Sequence, residues 1–380
     1  MNRLRSMLLR GALTGCLLVA TPALAMVEVE DTSVKGVTAW YAEDATLPIV
    51  HVVLTFEGAG SASDPDVLPG RAVMAANLLT EGAGEMNALA FHKALESKAI
   101  RLEAQADRDD LVVSIHTLKA ELPEAVRLTM LALADPRFDA DALATAKAEQ
   151  ISALRAEKES PASIAAKAWR EGLYGRHPYA RSGLGTEESV ARIGAQDRDA
   201  YRARYITQAN MRIAAAGDID GGDLRALFGP LVAALPQEFF PERDLPGVTL
   251  DGKGTVTRIA HPGPQSVVVF GGPGVARGDK RYYGYYLMNE ALGGGSLSSR
   301  LMRDVRVKHG LAYYIGTALV HGDAADGFQG QFATRNDTVE QAIEALKASA
   351  AELAATGLSQ RECEDVRREV KQGFMLQLDA

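Results

Sequence analysis

The chain has 380 residues, 47% of them hydrophobic and 24% charged, as in a globular protein of two or three domains with sizeable cores. Its 49 Asp and Glu outnumber 41 Lys and Arg, for a net charge of −8. That balance excludes nucleic-acid binding through the phosphate backbone as a main role.

The first 25 residues stand apart. Arg3 and Arg5 form a basic start, an apolar run extends from about Ala12 to Ala20, and Pro22-Ala23-Leu24-Ala25 makes a small-residue cleavage site. The pattern predicts a signal peptide cleaved after Ala25 and a periplasmic mature protein, because the run is too short to persist as a membrane anchor. Cleavage removes Arg3, Arg5 and Arg10 and no acid, leaving a mature charge of about −11. Leu13-Thr14-Gly15-Cys16 also fits a lipoprotein signal that would lipidate Cys16, but the apolar residues continue from Leu17 to Ala20. No later stretch reaches about 18 uninterrupted apolar residues, so no membrane span is expected. With Cys16 gone, Cys363 stands alone, no internal disulfide can form, and stability must come from packed cores.

In chain order, alternation predicts strands over 38–42 and 49–56, then helices over 68–79 and 88–98. Strands follow over 102–106 and 111–117, joined by the charged turn Asp107–Asp110. Helices are expected over 123–134, over 140–157 with Asp139 as cap, and over 163–173. Beyond them come a His177-Pro178-Tyr179 turn, a Gly185-Thr186-Glu187 turn, and a closing strand that ends in Gly217-Asp218. Pro236, Pro241 and Pro246, interspersed with charges, mark 236–254 as a linker. After it the order repeats at an offset of about 214: a strand over 266–270, a helix over 282–292 ended by glycines, and long helices over 339–355 and 359–376. The expected fold is α+β, with two related halves, 26–235 and 255–380, each a mixed sheet with helices on one face. The second copy lacks roughly sixty residues that the first contains and reads as incomplete at its C-terminal end.

The stretch from Gly293 to Tyr314 carries the functional signal. Gly293, Gly294 and Gly295 end one amphipathic run, and glycines there permit a left-handed backbone or a close approach of another chain. A Ser-rich turn opens a helix with Leu301, Val305 and Lys308 at helical spacing, stopped at Gly310. Residues 311–320 then read as a strand, so Arg306 closes the helix and Tyr313 lies early on the strand. Taken alone, an Arg at a helix C-terminus complements the helix dipole, and Tyr is ordinary strand material.

The glycine triplet, Ser299-Arg300-Leu301 and Gly310-Leu311-Ala312-Tyr313 together resemble a segment of the pitrilysin/insulinase family of zinc peptidases, to which mitochondrial processing peptidase belongs. The resemblance runs from about Val37 to Ala380. It implies two halves closing as a clam-shell, with Arg306 and Tyr313 holding the backbone of a peptide substrate. Guanidinium and phenol donors suit that role, since they can bond peptide carbonyls or the oxyanion formed on attack.

Catalytic members of that family carry His-x-x-Glu-His on the first long helix, with a distant Glu completing the metal site. Laid on that pattern, the ligand positions here are Val73 and Asn77, the base position is Ala76, and the distant Glu falls near Ser152-Ala153-Leu154. None of these side chains is suited to hold the metal or move the proton. The seven histidines (His51, His92, His116, His177, His261, His309 and His321) begin neither His-x-x-Glu-His nor its inverse. His92 and Glu96 form a helical i,i+4 pair that reads as solvated surface, and His51 and His116 sit in strand patterns. No metal or cofactor is therefore expected in this chain. Gly271-Gly272-Pro273-Gly274 lacks a following Lys and loses a donor at Pro273, Ser296–Ser299 lacks a hydrolase elbow, and neither Asp64-Pro65-Asp66 nor Asp107–Asp110 is an EF-hand loop.

The resemblance thus implies a non-catalytic subunit of a heteromeric periplasmic zinc peptidase. A partner carrying His-x-x-Glu-His would supply zinc and the general base in a heterodimer, and this chain would bind peptide through Arg306 and Tyr313. Two other readings are a catalytically dead binding or assembly protein with no peptidase partner, and an enzyme with an unfamiliar site.

Overall fold

A computed structural model describes residues 28–250, 254–294 and 297–378, so the predicted signal peptide, Cys16 and Gly295 lie outside the described residues. The first half is built on a six-stranded sheet. Its strands are β1 (Glu30–Val34), β2 (Val37–Glu43), β3 (Ile49–Phe56), β6 (Arg101–Ala106), β7 (Leu111–Leu118) and β8 (Met211–Gly217), in the order β1-β2-β8-β3-β7-β6. β2 runs parallel to β8 and the other pairs are antiparallel. A short ribbon of β4 (Gly82–Ala83) and β5 (Met86–Asn87) lies outside it.

Alternation decides the faces. Val50, Val52, Leu54 and Phe56 of β3 are buried, while His51, Val53 and Thr55 point to the other side. The buried face is covered by α1 (Arg71–Leu78), α2 (Ala88–Glu96), α3 (Leu122–Ala134), α7 (Ala195–Tyr205) and α8 (Gly221–Ala234), which contribute Ala76, Phe91, Leu128, Tyr201 and Phe228 to one core. Each large apolar side chain removed from water there contributes about 1.5–3 kcal/mol. Behind α1 lie α4 (Ala140–Glu159), α5 (Pro161–Tyr174) and α6 (Glu187–Arg192). Thr186 caps α6, its Oγ1 accepting from the Ser189 N–H at 3.1 Å. Asp139 caps nothing with its side chain: its carboxylate is held by Arg137 at 3.0 Å instead of by the first turn of α4.

The second half repeats the plan on fewer strands. β9 (Gln265–Pro273), β10 (Ile315–Val320) and β11 (Gly327–Arg335) form an antiparallel sheet in the order β10-β11-β9, matching the β6-β7-β3 part of the first. α9 (Tyr282–Gly293), α10 (Val339–Thr356) and α11 (Gln360–Leu378) accompany it, with Cys363 on α11 as a free thiol. The second core gathers Leu301, Met302, Val305, Leu311, Ile315, Phe332 and Ala342. Where β3 pairs with β8, β9 has no corresponding partner among the described residues.

Residues 236–249 form no regular element, yet they stitch the halves together. The Val248 N–H donates to the Ala324 carbonyl at 2.7 Å. Tyr179 donates its hydroxyl proton to the Asp109 carboxylate and accepts the Ala324 N–H at 3.0 Å. α5 lies against β9 so closely that a Cβ on Gly271 would stand 2.9 Å from the Trp169 ring. No described helix is long and apolar enough to cross a membrane.

Candidate functional site

The helix at the family's zinc position, α1, is anchored from both ends of its first turn. Gly70 precedes it at φ 92°, where a side chain would be strained and a Cβ would meet the Leu184 carbonyl at 2.5 Å. This is why the helix begins at Arg71 and not at Leu68 as the sequence suggested. Asp64 caps it from six residues away, accepting from the Gly70 N–H at 2.8 Å and the Ala72 N–H at 3.0 Å. Burial pushes the Asp64 carboxyl up to about 7, against the opposing pull of Arg71 (3.8 Å) and the two N–H donors. Gln150 of α4 donates to the carbonyls of Gly70 (3.0 Å) and Leu184 (2.8 Å), fixing α4 across α1.

That frame suits a metal site, but its side chains do not. Val73 is half-buried and Asn77 exposed on one face of α1, while Ala76 is fully buried between them. On α4, Ala153 is exposed, and Leu154 is buried in a cluster with Met74 and Leu78. A catalytic zinc needs about three imidazole or carboxylate ligands and an open position, and these residues do not fit one. Among the described residues no group of three or more His, Cys, Asp or Glu is arranged to hold a metal ion. Five of the seven histidines are engaged elsewhere. His51 and His116 stack across β3 and β7 with ring centroids 5.8 Å apart, and burial together with His116 pulls His51 down. His92 turns to Glu81 at 3.4 Å, not to Glu96 as its spacing suggested. His177 accepts the Tyr179 N–H at 3.2 Å, and His321 pairs with Asp326 at 2.8 Å.

Around Arg306 the chain departs from a plain α-helix. Residues Met302–Lys308 are wound as a π-helix, which turns Leu301, Met302 and Val305 into the second core and leaves Lys308 exposed. Gly310 reverses the chain at φ 63°, and its N–H donates to the Arg306 carbonyl at 2.9 Å. The Leu311 N–H reaches back to the Val305 carbonyl at 2.9 Å, so Leu311 and Ala312 tuck into the core instead of opening a strand. β10 therefore starts at Ile315, and Tyr313 sits in the turn before it, 82% exposed. The Arg306 guanidinium carbon lies 4.7 Å from the centroid of the Tyr313 ring, so the structure does bring the two residues together.

The glycines and the Ser-Arg-Leu segment do structural work. Gly293 ends α9 against β10: a Cβ there would lie 2.8 Å from Thr317 Oγ1 and 3.1 Å from Leu301. Gly294 follows at φ −68°, and a Cβ there would lie 2.6 Å from the Glu290 Cα, so at both positions close approach and not left-handed backbone accounts for the glycine. Arg300, 5% exposed, makes two 3.0 Å bonds to Glu362 of α11 and donates to the Gly357 carbonyl at 3.1 Å. Those bonds hold the Glu362 carboxyl down to about 2.

With this geometry in place, similarity to known proteins decides the family. The family model for insulinase (peptidase family M16) matches residues 39–187, and the model for the peptidase M16 inactive domain matches residues 192–370. The chain belongs to peptidase family M16. A crystal structure of a peptidase M16 inactive domain from Pseudomonas fluorescens superposes on this M16 chain with a TM-score of 0.86 at 28% identity, over 91% of this chain and 84% of the other. The non-peptidase homolog YmxG of Helicobacter pylori is 28% identical over 86% of this chain and 75% of its own length. An uncharacterized zinc protease of Mycobacterium tuberculosis is 27% identical over 72% of this chain and 63% of its own. The M16 fold is accordingly the clam-shell of two α+β halves, and inactive homologues are among the relatives.

Three features of the M16 chain escaped the sequence reading: the Asp64 cap, the Tyr179 joint between halves, and a group of arginines beside Val73. The Tyr179 joint and the arginine group join residues far apart in the chain, while Asp64 reaches its helix from six residues away, outside the usual N-cap spacing; only Tyr179, within its His-Pro-Tyr turn, carried a local signal.

Proposed function

We propose that this chain is the non-catalytic subunit of a heteromeric M16 zinc peptidase of the periplasm, binding peptide substrate through Arg306 and Tyr313. The partner, a chain carrying His-x-x-Glu-His, supplies zinc and the general base. The observation that carries this reading is a contrast between the two halves. The first keeps the helix frame of the zinc site with Val73, Ala76 and Asn77 in place of its chemistry. The second holds an exposed Tyr313 stacked with Arg306, although neither side chain is needed in its core.

Chemically, the pair offers a planar cation with several N–H donors beside a phenol hydroxyl. Such donors can bond successive carbonyls of an extended peptide and steady negative charge developing on one of them. Reconstitution with the catalytic chain tests this: Arg306→Ala with Tyr313→Phe should abolish turnover while leaving the assembly intact. Unchanged turnover, or no association with any His-x-x-Glu-His chain, favours the assembly-protein reading, in line with the name of the H. pylori relative.

A further inference from the structure

A cavity of about 290 Å³ opens beside α1, lined by Val73 together with Arg108, Glu157, Arg170, Arg181 and Ser182. Three guanidinium groups thus gather beside Val73, one of the vacated zinc-ligand positions, carried by the β6–β7 turn, by α5 and by the loop after Tyr179. Their partners are unequal. Arg181 is bound to Asp66 at 2.9 Å and to the Asp64 carbonyl at 3.1 Å. Arg108 lies over the Tyr179 ring at 4.8 Å and the Tyr174 ring at 5.8 Å. No carboxylate lies within ion-pair distance of Arg108 or Arg170 among the described residues, and the buried Nε of Arg170 has no hydrogen-bond partner.

Two acids, Asp107 and Glu157, also line the cavity, each with hydrogen-bond partners of its own. Glu157 accepts from the Ser182 hydroxyl at 2.9 Å, and Asp107 accepts the N–H groups of Asp109 and Asp110 at 2.8 and 2.7 Å. Burial and the neighbouring Arg108 push Arg170 down, and the opposing pull of Glu157 and Glu171 does not offset them. A half-buried guanidinium facing another cation across an open cavity is stabilised by an anion, and a fork of N–H donors matches a carboxylate.

We propose that this cavity is a carboxylate-binding pocket in which Arg108 and Arg170 take a terminal or side-chain carboxylate of a bound peptide. The pocket borders the vacated zinc-ligand position at Val73, so the degenerate half still grips substrate. This rests on the peptide-binding reading of the chain, but its test needs no partner.

The test is calorimetric titration of the purified full chain with three N-acetylated pentapeptides: alanines ending in a free carboxylate, the same peptide amidated, and an amidated one with a central Glu. Binding of either carboxylate peptide, with the neutral peptide at least tenfold weaker, is the expected result, and which of the two binds identifies the source of the carboxylate. Arg170→Met should weaken binding at least tenfold and Arg170→Lys less. Val73→Glu, which introduces a carboxylate from α1 itself, should abolish binding in a chain that stays folded by circular dichroism. Equal binding of all three peptides, no binding of either acidic one at millimolar concentration, or binding indifferent to both Arg170→Met and Val73→Glu overturns the proposal. So does arginine-dependent binding of inorganic phosphate alone. Loss of carboxylate selectivity with an intact two-chain peptidase would sink the pocket and leave the subunit reading standing.

Discussion

The guanidinium of Arg306 sits 4.7 Å from the centre of the Tyr313 ring, on a turn where Tyr313 is 82% exposed. An exposed cation–π contact contributes about 0.5–1 kcal/mol. Arg306→Ala and Tyr313→Phe should therefore leave urea-unfolding stability within about 1 kcal/mol of wild type. In the proposed two-chain peptidase, losing one donor to a developing oxyanion should cost about 10²–10³ in turnover. Kinetics beside a urea melt separate the two effects, and a large stability loss with unchanged turnover would make the pair structural.

The Arg300–Glu362 pair makes the opposite prediction. Arg300 is buried and the Glu362 side chain is about one-third exposed, so solvent trims the coupling. Arg300→Met should destabilise the chain by about 2 kcal/mol, below the range for a fully buried pair. Glu362 titrates at about 2 when folded, below its unfolded value of roughly 4.3. Its contribution is therefore present above about pH 4.3 and lost as pH falls towards 2. Urea midpoints at pH 7 and pH 3 should converge between wild type and Arg300→Met.

Asp64 has the reverse sign. Its folded value, about 7, lies above an unfolded value near 3.9, so the folded state holds the proton more tightly. The stability it lends is full below about pH 4 and declines as pH rises to 7. Asp64→Asn, which does not titrate, should flatten the stability profile across that window. Asp64→Ala, which removes the cap of α1 outright, should cost most below about pH 4 and progressively less as pH rises to 7.

Tyr179 joins the halves through a single hydroxyl. Tyr179→Phe strands the Ala324 N–H and the half-buried Asp109 carboxylate, a loss of about 1–3 kcal/mol. Amide exchange should accelerate at Ala324 and neighbouring positions more than in β3. Uniform acceleration across both sheets would mean that the hydroxyl supports overall stability and not the joint.

Local pattern made much of the fold legible. The period-2 burial of residues 49–56 marks β3 to the residue, because one face is covered by helices and the other is not. The glycine–serine–arginine stretch pointed to Arg306 and Tyr313. What the pattern could not show was winding: a π-helix keeps Leu301 and Val305 inward just as an α-helix would, so the shift of Tyr313 off the strand left no trace in hydrophobicity. Nor could it show the arginine pocket, since Arg108, Arg170 and Arg181 come from three separate segments, each read as an ordinary turn or helix surface.

The central claim is partnership, and the most direct measurement recovers the affinity-tagged full-length chain from its own source and assays zinc and endopeptidase turnover on the eluate and on the chain alone. The account predicts a co-eluting M16 chain with His-x-x-Glu-His, about one zinc per pair, and cleavage by the pair only, lost on Arg306→Ala with Tyr313→Phe while both chains still co-elute. A chain recovered alone, without metal or activity, or a pair whose turnover ignores both substitutions, would contradict it.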